Sequence, residues 1–227
     1  MKVKSHQPTL CLKPTQFAMG MMEVEYKVQE MKALSPRKLK KLVESKPIPI
    51  VISPWKELCI VDHHHFLFAC WHAKVKTVRV EVVKDYSKLK LTYHQFWKKM
   101  QKLKFAYLYD QFGEGPRSPL YLPQDIRGMA DDPYRSLAWM IRKEGGFENT
   151  DVNFAEFQWA NFFREKKLLE AHGRVGVHQA IKKGMRLLKK KDITHLPGAI
   201  PADKIETDLH IDPQKKSKFV PKAVKPI

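Results

Sequence analysis

The alternation of apolar and polar residues is clearest between Pro47 and Val83. Short β-branched runs at 48–52 and 58–61 are separated by a proline and a polar turn, which is typical of two strands. Apolar residues from 66 to 73 then change to a helical period, and a further β-branched run follows. This order predicts strand, turn, strand, a polar Asp-His-His-His corner, helix and strand.

Helix signals lie on both sides of this segment. Ser35 before Pro36 predicts the start of one helix, and Thr92 predicts the N-cap of another. Asp132-Pro133 opens a helix that two glycines end. The pattern further predicts a first strand over 7–12, helices from about Met22, from Asn153 and over 177–190, and a disordered basic tail over 215–227.

The polar corner, Asp62–His65, lies where a predicted buried strand ends and a helix begins. Such a junction presents free backbone N–H groups and the positive end of the helix dipole, so it suits phosphate. Three consecutive histidines diverge by about 100° per residue on a helix and cannot form a metal site alone. Three interpretations stay open: contact with phosphate or substrate, a structural role, and a metal held by His65, His72 and a third group.

The same corner resembles a known superfamily. A P-I-x-V strand, an Asp-x-His-His corner and a V-x-V-x-V strand resemble the ParB/sulfiredoxin core. The segments KPTQFAMGMMEVEYK (13–27), DDPYRSLAWMIRKEGGF (131–147) and VNFAEFQWANFFR (152–164) resemble the bacterial ParB-like nuclease family. The resemblance covers residues 8–168. It implies an α+β fold, with a small mixed sheet and helices, followed by a C-terminal helical extension.

The resemblance also implies roles for the corner residues. In the superfamily the corner carries Gly-x-x-Arg, or Asp-Gly-His-His-Arg in the free-serine kinase branch, and holds nucleotide phosphates. Asp62, His64 and His65 match the acid and the two histidines and are the catalytic candidates. His63 stands in place of the glycine and Phe66 in place of the arginine, and both are expected at the phosphate.

Candidates outside the corner follow from the same comparison. The base of the kinase branch falls at Gln16, which cannot accept a proton but is a ligand-binding candidate. Glu23 and Glu25 are nearby carboxylates that could act as base if their helix turns them inward, and Glu23 is the catalytic candidate. Arg79 is expected to contact phosphate from the last strand of the segment. We also expect Tyr134 and Arg135 near the ligand, with Arg135 supplying the cation that the corner lacks.

Two functional hypotheses result. The first is an enzyme acting on phosphate esters, either a ParB-like nuclease or a nucleotide-dependent phosphotransferase or hydrolase, with Mg²⁺ and a nucleotide as the expected cofactors. The alternative is a nucleotide- or nucleic-acid-binding module without turnover, as the missing arginine and loop glutamate suggest. Asp131, Asp132 and Asp151 could gather Mg²⁺ in a nuclease, but Asp132 is already explained as a helix cap, so we assign no metal ligands.

The net charge of +18 belongs to the ends of the chain. Residues 1–56 carry 11 Lys/Arg against 4 Asp/Glu, and 165–227 carry 15 against 7, whereas 57–164 carry 16 against 13. Such ends attract polyanions without reading sequence. They indicate contact with a nucleotide or nucleic acid, or else a solvated lysine-rich surface.

Domain organisation and location complete the prediction. Residues 1–168 are predicted to form one ParB/sulfiredoxin-like domain with a helical subdomain at 131–164, and 169–227 a basic helical extension and tail. The three cysteines have no paired spacing, which is typical of core thiols in a reducing compartment. No apolar run is long enough to span a membrane, and the first residues lack the apolar core of a signal peptide. A cytoplasmic protein without membrane contact is therefore predicted.

Overall fold

The structure is a computed structural model that describes residues 3–169 and 176–207. It separates into two compact units, one of residues 1–19 and 27–131 and the other of residues 20–26 and 132–227. The strands are β1 (His6–Pro8), β2 (Leu12–Lys13), β3 (Ala18–Met19), β4 (Ile48–Ile52), β5 (Leu58–Ile60), β6 (Thr77–Asp85) and β7 (Ala130–Asp131). The helices are α1 (Met21–Lys32), α2 (Pro36–Ser45), α3 (His64–His72), α4 (Tyr93–Lys102), α5 (Pro133–Lys143), α6 (Ala155–Glu165) and α7 (Val177–Lys190).

The first unit is built on a five-stranded mixed sheet in the order β1-β6-β4-β5-β2. The central pair β4 and β6 is parallel, while β4 and β5 are antiparallel. Ile48, Ile50, Val51 and Ile52 are all buried, because a central strand covered on both faces needs a continuous apolar run. Helix α4 packs Phe96, Trp97 and Met100 against this sheet in one buried cluster. The predicted α+β fold with a small mixed sheet is confirmed.

The predicted first strand over 7–12 is wrong as a single element. It is broken by a 3₁₀ turn at Thr9–Cys11 into β1, which pairs with β6, and β2, which pairs with β5. Thr9 holds the turn through its side chain, which donates to the carbonyl of Val75 at 2.7 Å. Because β1 and β2 are at opposite ends of the strand order yet only a short turn separates them, spanning at most about 14 Å, the sheet must curl.

Three predicted helix starts are confirmed by their caps. The Ser35 hydroxyl accepts from the amide of Lys38 at 3.4 Å, with Pro36 in the first turn. Thr92 and Gln95 form a reciprocal capping box at α4. Asp132 accepts from two amides of the first turn of α5. These signals are local in sequence, so the helix starts can be predicted without the tertiary fold.

The second unit is helical. Helices α5, α6 and α7 share one buried cluster with Met22, and the segment after α7 adds Ile193 and Ile205 to it. Helix α6 begins at Ala155, two residues after the predicted start at Asn153. The bounds predicted for α7 are confirmed. The domain boundary predicted at 168 stays a prediction.

The predicted tail over 215–227 lies outside the described residues. Within the described ranges, no helix has the length and apolar character that a membrane crossing requires.

Candidate functional site

The corner joins the end of β5 to the start of α3 in the first unit. The Asp62 side chain is exposed, and one of its oxygens accepts from the amide of His63 at 2.6 Å. His63 occupies the N-cap position of α3 but makes no side-chain capping bond to the helix. The amides of the first turn of a helix have no partners within the helix. The predicted junction between a strand and a helix is confirmed, and phosphate contact with the amides of this turn stays a prediction.

His63 has a left-handed backbone, with φ of 65°. Its Nδ1 donates to the carbonyl of Pro47 at 3.1 Å, which ties the corner to the start of β4. A left-handed conformation costs a residue with a Cβ about 1–2 kcal/mol, whereas glycine adopts it freely. The left-handed backbone is the physical reason why glycine, which the resemblance places at this position, suits a corner of this shape. His63 adopts the same conformation at the energetic cost of its Cβ.

A pair of substitutions at His63 tests this strain. Alanine loses the bond to Pro47 and keeps the strained φ, while glycine loses the bond and relieves the strain. We therefore expect His63→Gly to be more stable than His63→Ala by about 1 kcal/mol in urea unfolding. At Lys99, exposed on the regular helix α4, the order should reverse, with glycine about 1 kcal/mol below alanine. A glycine variant below alanine at His63 would contradict the strain.

His64 is a buried structural acceptor. The residue is 2% exposed, and its Nε2 accepts from the backbone amide of Thr15 at 3.3 Å. Burial lowers the pKa of His64 from 6.5 to about 4, so the ring is neutral near pH 7. The Thr15 hydroxyl also donates to the carbonyl of Ile60 at 2.6 Å. These bonds fix the loop after β2 against the corner and favour the structural interpretation for this histidine.

The other predicted ligands of the first unit are placed around this loop and the sheet. Gln16 directly follows Thr15, is buried and forms an isolated bridge with Tyr107. His65 is half-buried in the first turn of α3. Arg79 lies on β6, and its Nη1 donates to the carbonyl of Glu44 at 3.2 Å, near the C-terminal end of α2.

Lys46 is a cation at the corner that the sequence pattern did not reveal. It follows the last residue of α2, is exposed, and its Nζ lies 5.6 Å from the ring centroid of Phe66. Phe66 is the residue that stands in place of the superfamily arginine. Twenty positions separate the two residues in sequence, and no periodicity links them, so only the tertiary structure could pair them.

Glu23, Tyr134 and Arg135 belong to the second unit. Glu23 is buried, and its carboxylate lies 3.3 Å from Nη2 of Arg135. The same guanidinium nitrogen is paired with Glu156, which also binds Arg142 at 2.7 Å. We call Glu23, Arg135, Arg142 and Glu156 the buried charge cluster. The Arg135 charge is thus compensated inside its own unit.

Two further polar residues stand beside this cluster. The Tyr134 hydroxyl donates to the carbonyl of Leu169 at 3.4 Å, and the guanidinium carbon of Arg164 lies 5.1 Å from its ring centroid. Arg164 also binds Asp132 at 2.7 Å. Burial raises the pKa of Asp132, and the Arg164 cation opposes that shift. The Asp132 carboxylate therefore caps α5 and forms an ion pair with Arg164.

No group of three or more His, Cys, Asp or Glu side chains that could hold a metal ion occurs in the part of the chain that the structure describes. Cys59 and Cys70 are buried, and burial raises the pKa of each thiol to about 12. Neither thiol forms a reactive thiolate at neutral pH. The corner itself carries no cysteine, so it lacks the thiol that sulfiredoxin chemistry uses.

Comparison with known proteins places the chain in a family. The family model described as "Putative ParB-like nuclease" matches residues 8–165, and the chain belongs to that family. The crystal structure of protein Atu1540 from Agrobacterium tumefaciens is similar, with a TM-score of 0.74 and 30% sequence identity, covering 87% of this chain and 97% of the other. No curated protein matches the sequence. The family confirms the resemblance and supports a role related to nucleic acid.

Proposed function

We propose that this protein binds the phosphate of a nucleotide or nucleic acid at the Asp62–His65 corner. The observation that carries the proposal is Lys46, whose ammonium lies 5.6 Å from the ring centroid of Phe66, a residue of the first turn of α3. The N-cap residue of this helix, His63, makes no side-chain capping bond. Backbone donors and a nearby cation are the two components that a phosphate site needs.

The positions of the predicted catalytic groups favour binding without turnover. His64 is buried, neutral and already an acceptor, and Glu23 is ion-paired with Arg135 in the second unit. A general base needs an accessible lone pair within hydrogen-bond reach of its proton. Of the catalytic candidates, Asp62 is exposed and His65 is half-buried.

Catalysis is the second candidate function, because the exposed Asp62 carboxylate at a phosphate site could hold Mg²⁺ in a nuclease or phosphohydrolase. Release of nucleotides from DNA or RNA that needs Mg²⁺ and disappears in Asp62→Asn would establish it. Absence of turnover in a preparation that binds ATP or DNA would support the alternative hypothesis, a binding module without catalysis.

Substitution of Lys46 tests the corner. The wild type should be stabilised by ATP or by pyrophosphate, by about 2.7 kcal/mol at one hundred times the dissociation constant. Lys46→Ala should weaken this binding by at least about tenfold, since a charge-assisted contact contributes about 1.5–3 kcal/mol. Thermal shift and isothermal titration, with and without Mg²⁺, measure the difference.

Lys40→Ala is the matched control, because Lys40 is also exposed on α2 and its loss changes the net charge equally. We expect ATP affinity in this variant to stay within twofold of the wild type. Equal losses in both variants would assign the effect to net charge and refute a role for Lys46. No stabilisation of the wild type by any phosphate compound would refute the proposed function itself.

A further inference from the structure

Helix α7 divides its residues sharply between two faces. The face toward the unit buries six residues: Val177, Ala180, Ile181, Gly184, Met185 and Leu188. The opposite face exposes Lys183, Arg186, Lys189 and Lys190, and the exposed Lys191 follows the helix. The helix has 14 residues, and none of them is Asp or Glu. We call Lys183, Arg186, Lys189 and Lys190 the α7 cationic face.

The orientation of this face is fixed by close packing. A Cβ atom added at Gly184 would lie 2.4 Å from Cδ1 of Ile141 on α5, so the Ile141 side chain packs directly against α7 at this glycine. Met185 and Leu188 lie in the cluster that α5, α6 and α7 share. Rotation of α7 would expose these apolar side chains. The cationic side chains are therefore held on the outside of the second unit.

We propose that the α7 cationic face is a docking surface for the sugar-phosphate backbone of a nucleic-acid duplex. This goes beyond the corner, since α7 begins after residue 165, where the match to the family model ends. Lys183, Arg186 and Lys190 are three and four positions apart, so they project from one side of the helix along about 10 Å of its axis. A duplex carries one negative charge per about 1.7 Å, which gives several phosphates within that length.

A duplex fits this face better than a lipid bilayer does. Helices that bind in the plane of a membrane insert an apolar face among the lipids. The apolar face of α7 is already buried against α5 and α6. The cationic side thus has charge for a phosphate backbone but no apolar side chains to enter a bilayer. Because backbone contacts carry no base information, binding should be independent of sequence.

The test compares two triple variants with the same loss of charge. Lys183→Gln/Arg186→Gln/Lys190→Gln removes three cations from α7, and Lys98→Gln/Lys99→Gln/Lys102→Gln removes three exposed lysines from α4. Binding of a 30-bp DNA duplex is measured from 50 to 300 mM NaCl. The slope of log affinity against log salt should become shallower by about 2.7 in the α7 variant, about 0.9 for each lost phosphate contact. The α4 variant should change it by less than about 0.9.

Each alternative result is decisive. Equal changes of the salt slope in the two variants would show an effect of net charge. An unchanged slope in the α7 variant would show that α7 does not contact the duplex. Either result overturns the proposal. Binding of phosphatidylserine vesicles, lost in the α7 variant while duplex binding persists, would overturn it in favour of a lipid surface. Lys46→Ala distinguishes this site from the corner. It should weaken ATP binding while changing the salt slope of duplex binding by no more than about 0.9, the value for one phosphate contact.

Discussion

Replacing Arg135 with methionine should lower the free energy of unfolding by about 3–5 kcal/mol, the cost of breaking a buried ion pair by removing one partner. Arg135 is 6% exposed and is paired with Glu23 and Glu156. Without the guanidinium, the buried Glu23 carboxylate loses this cation in a weakly solvated place, and Glu156 keeps only its pair with Arg142. Denaturant unfolding at pH 7 measures the loss.

Two comparisons isolate the cause. Arg117→Met breaks an exposed ion pair with Asp110, so it should cost less than about 1 kcal/mol. The triple variant Glu23→Gln/Arg135→Met/Glu156→Gln should recover much of the lost stability, because both carboxylate charges are removed together with the cation. Arg142 loses Glu156 in this variant, but its side chain is partly exposed to water. A single variant within 1 kcal/mol of the wild type would show that the buried charge cluster contributes little to stability.

The second large effect is a loss of about 3 kcal/mol of stability between pH 7 and pH 4 through His64 alone. The pKa of His64 is about 4 in the folded protein and 6.5 in the reference state, and burial is the main cause. Between these values the unfolded chain binds the proton and the folded chain does not. Acidification through this window therefore favours unfolding, and the contribution is fully present only above pH 6.5.

His64→Gln measures this contribution by difference. A glutamine oxygen can accept from the Thr15 amide but does not titrate, so the variant should lose less stability between pH 7 and pH 4 than the wild type. His94→Gln, at an exposed histidine on α4, removes the same residue type and should keep the wild-type profile. Coincident profiles for the wild type and His64→Gln would show that His64 is not held neutral by burial.

The corner shows which features of the candidate site can be predicted from the sequence. The prediction of a strand-to-helix junction at Asp62–His65 is confirmed, because the change from a β-branched run to a helical period occurs between neighbouring residues. The sequence did not show which histidine is buried. His63, His64 and His65 are identical in type, and their burial depends on the loop at Thr15, which is distant along the chain.

The ionic contacts show the same limit. The segments around Arg135 and Glu156 both resemble the family, and the sequence indicates Glu23 as a base only if its helix turns it inward. Their mutual pairing joins three helices, and no spacing rule connects residues so far apart in sequence. Lys46 was overlooked at the corner for the same reason.

The sequence by itself determined the elements whose signals are short-ranged: the caps at Ser35, Thr92 and Asp132, the strand β4 and the helix α7. Hydrogen bonds and periodicity within about four residues are sufficient to define these. Only the tertiary structure decided how β1 and β2 divide between two strands, that His64 is a neutral acceptor, and which cation lies at Phe66. These depend on burial and on contacts between distant residues, which local patterns do not encode.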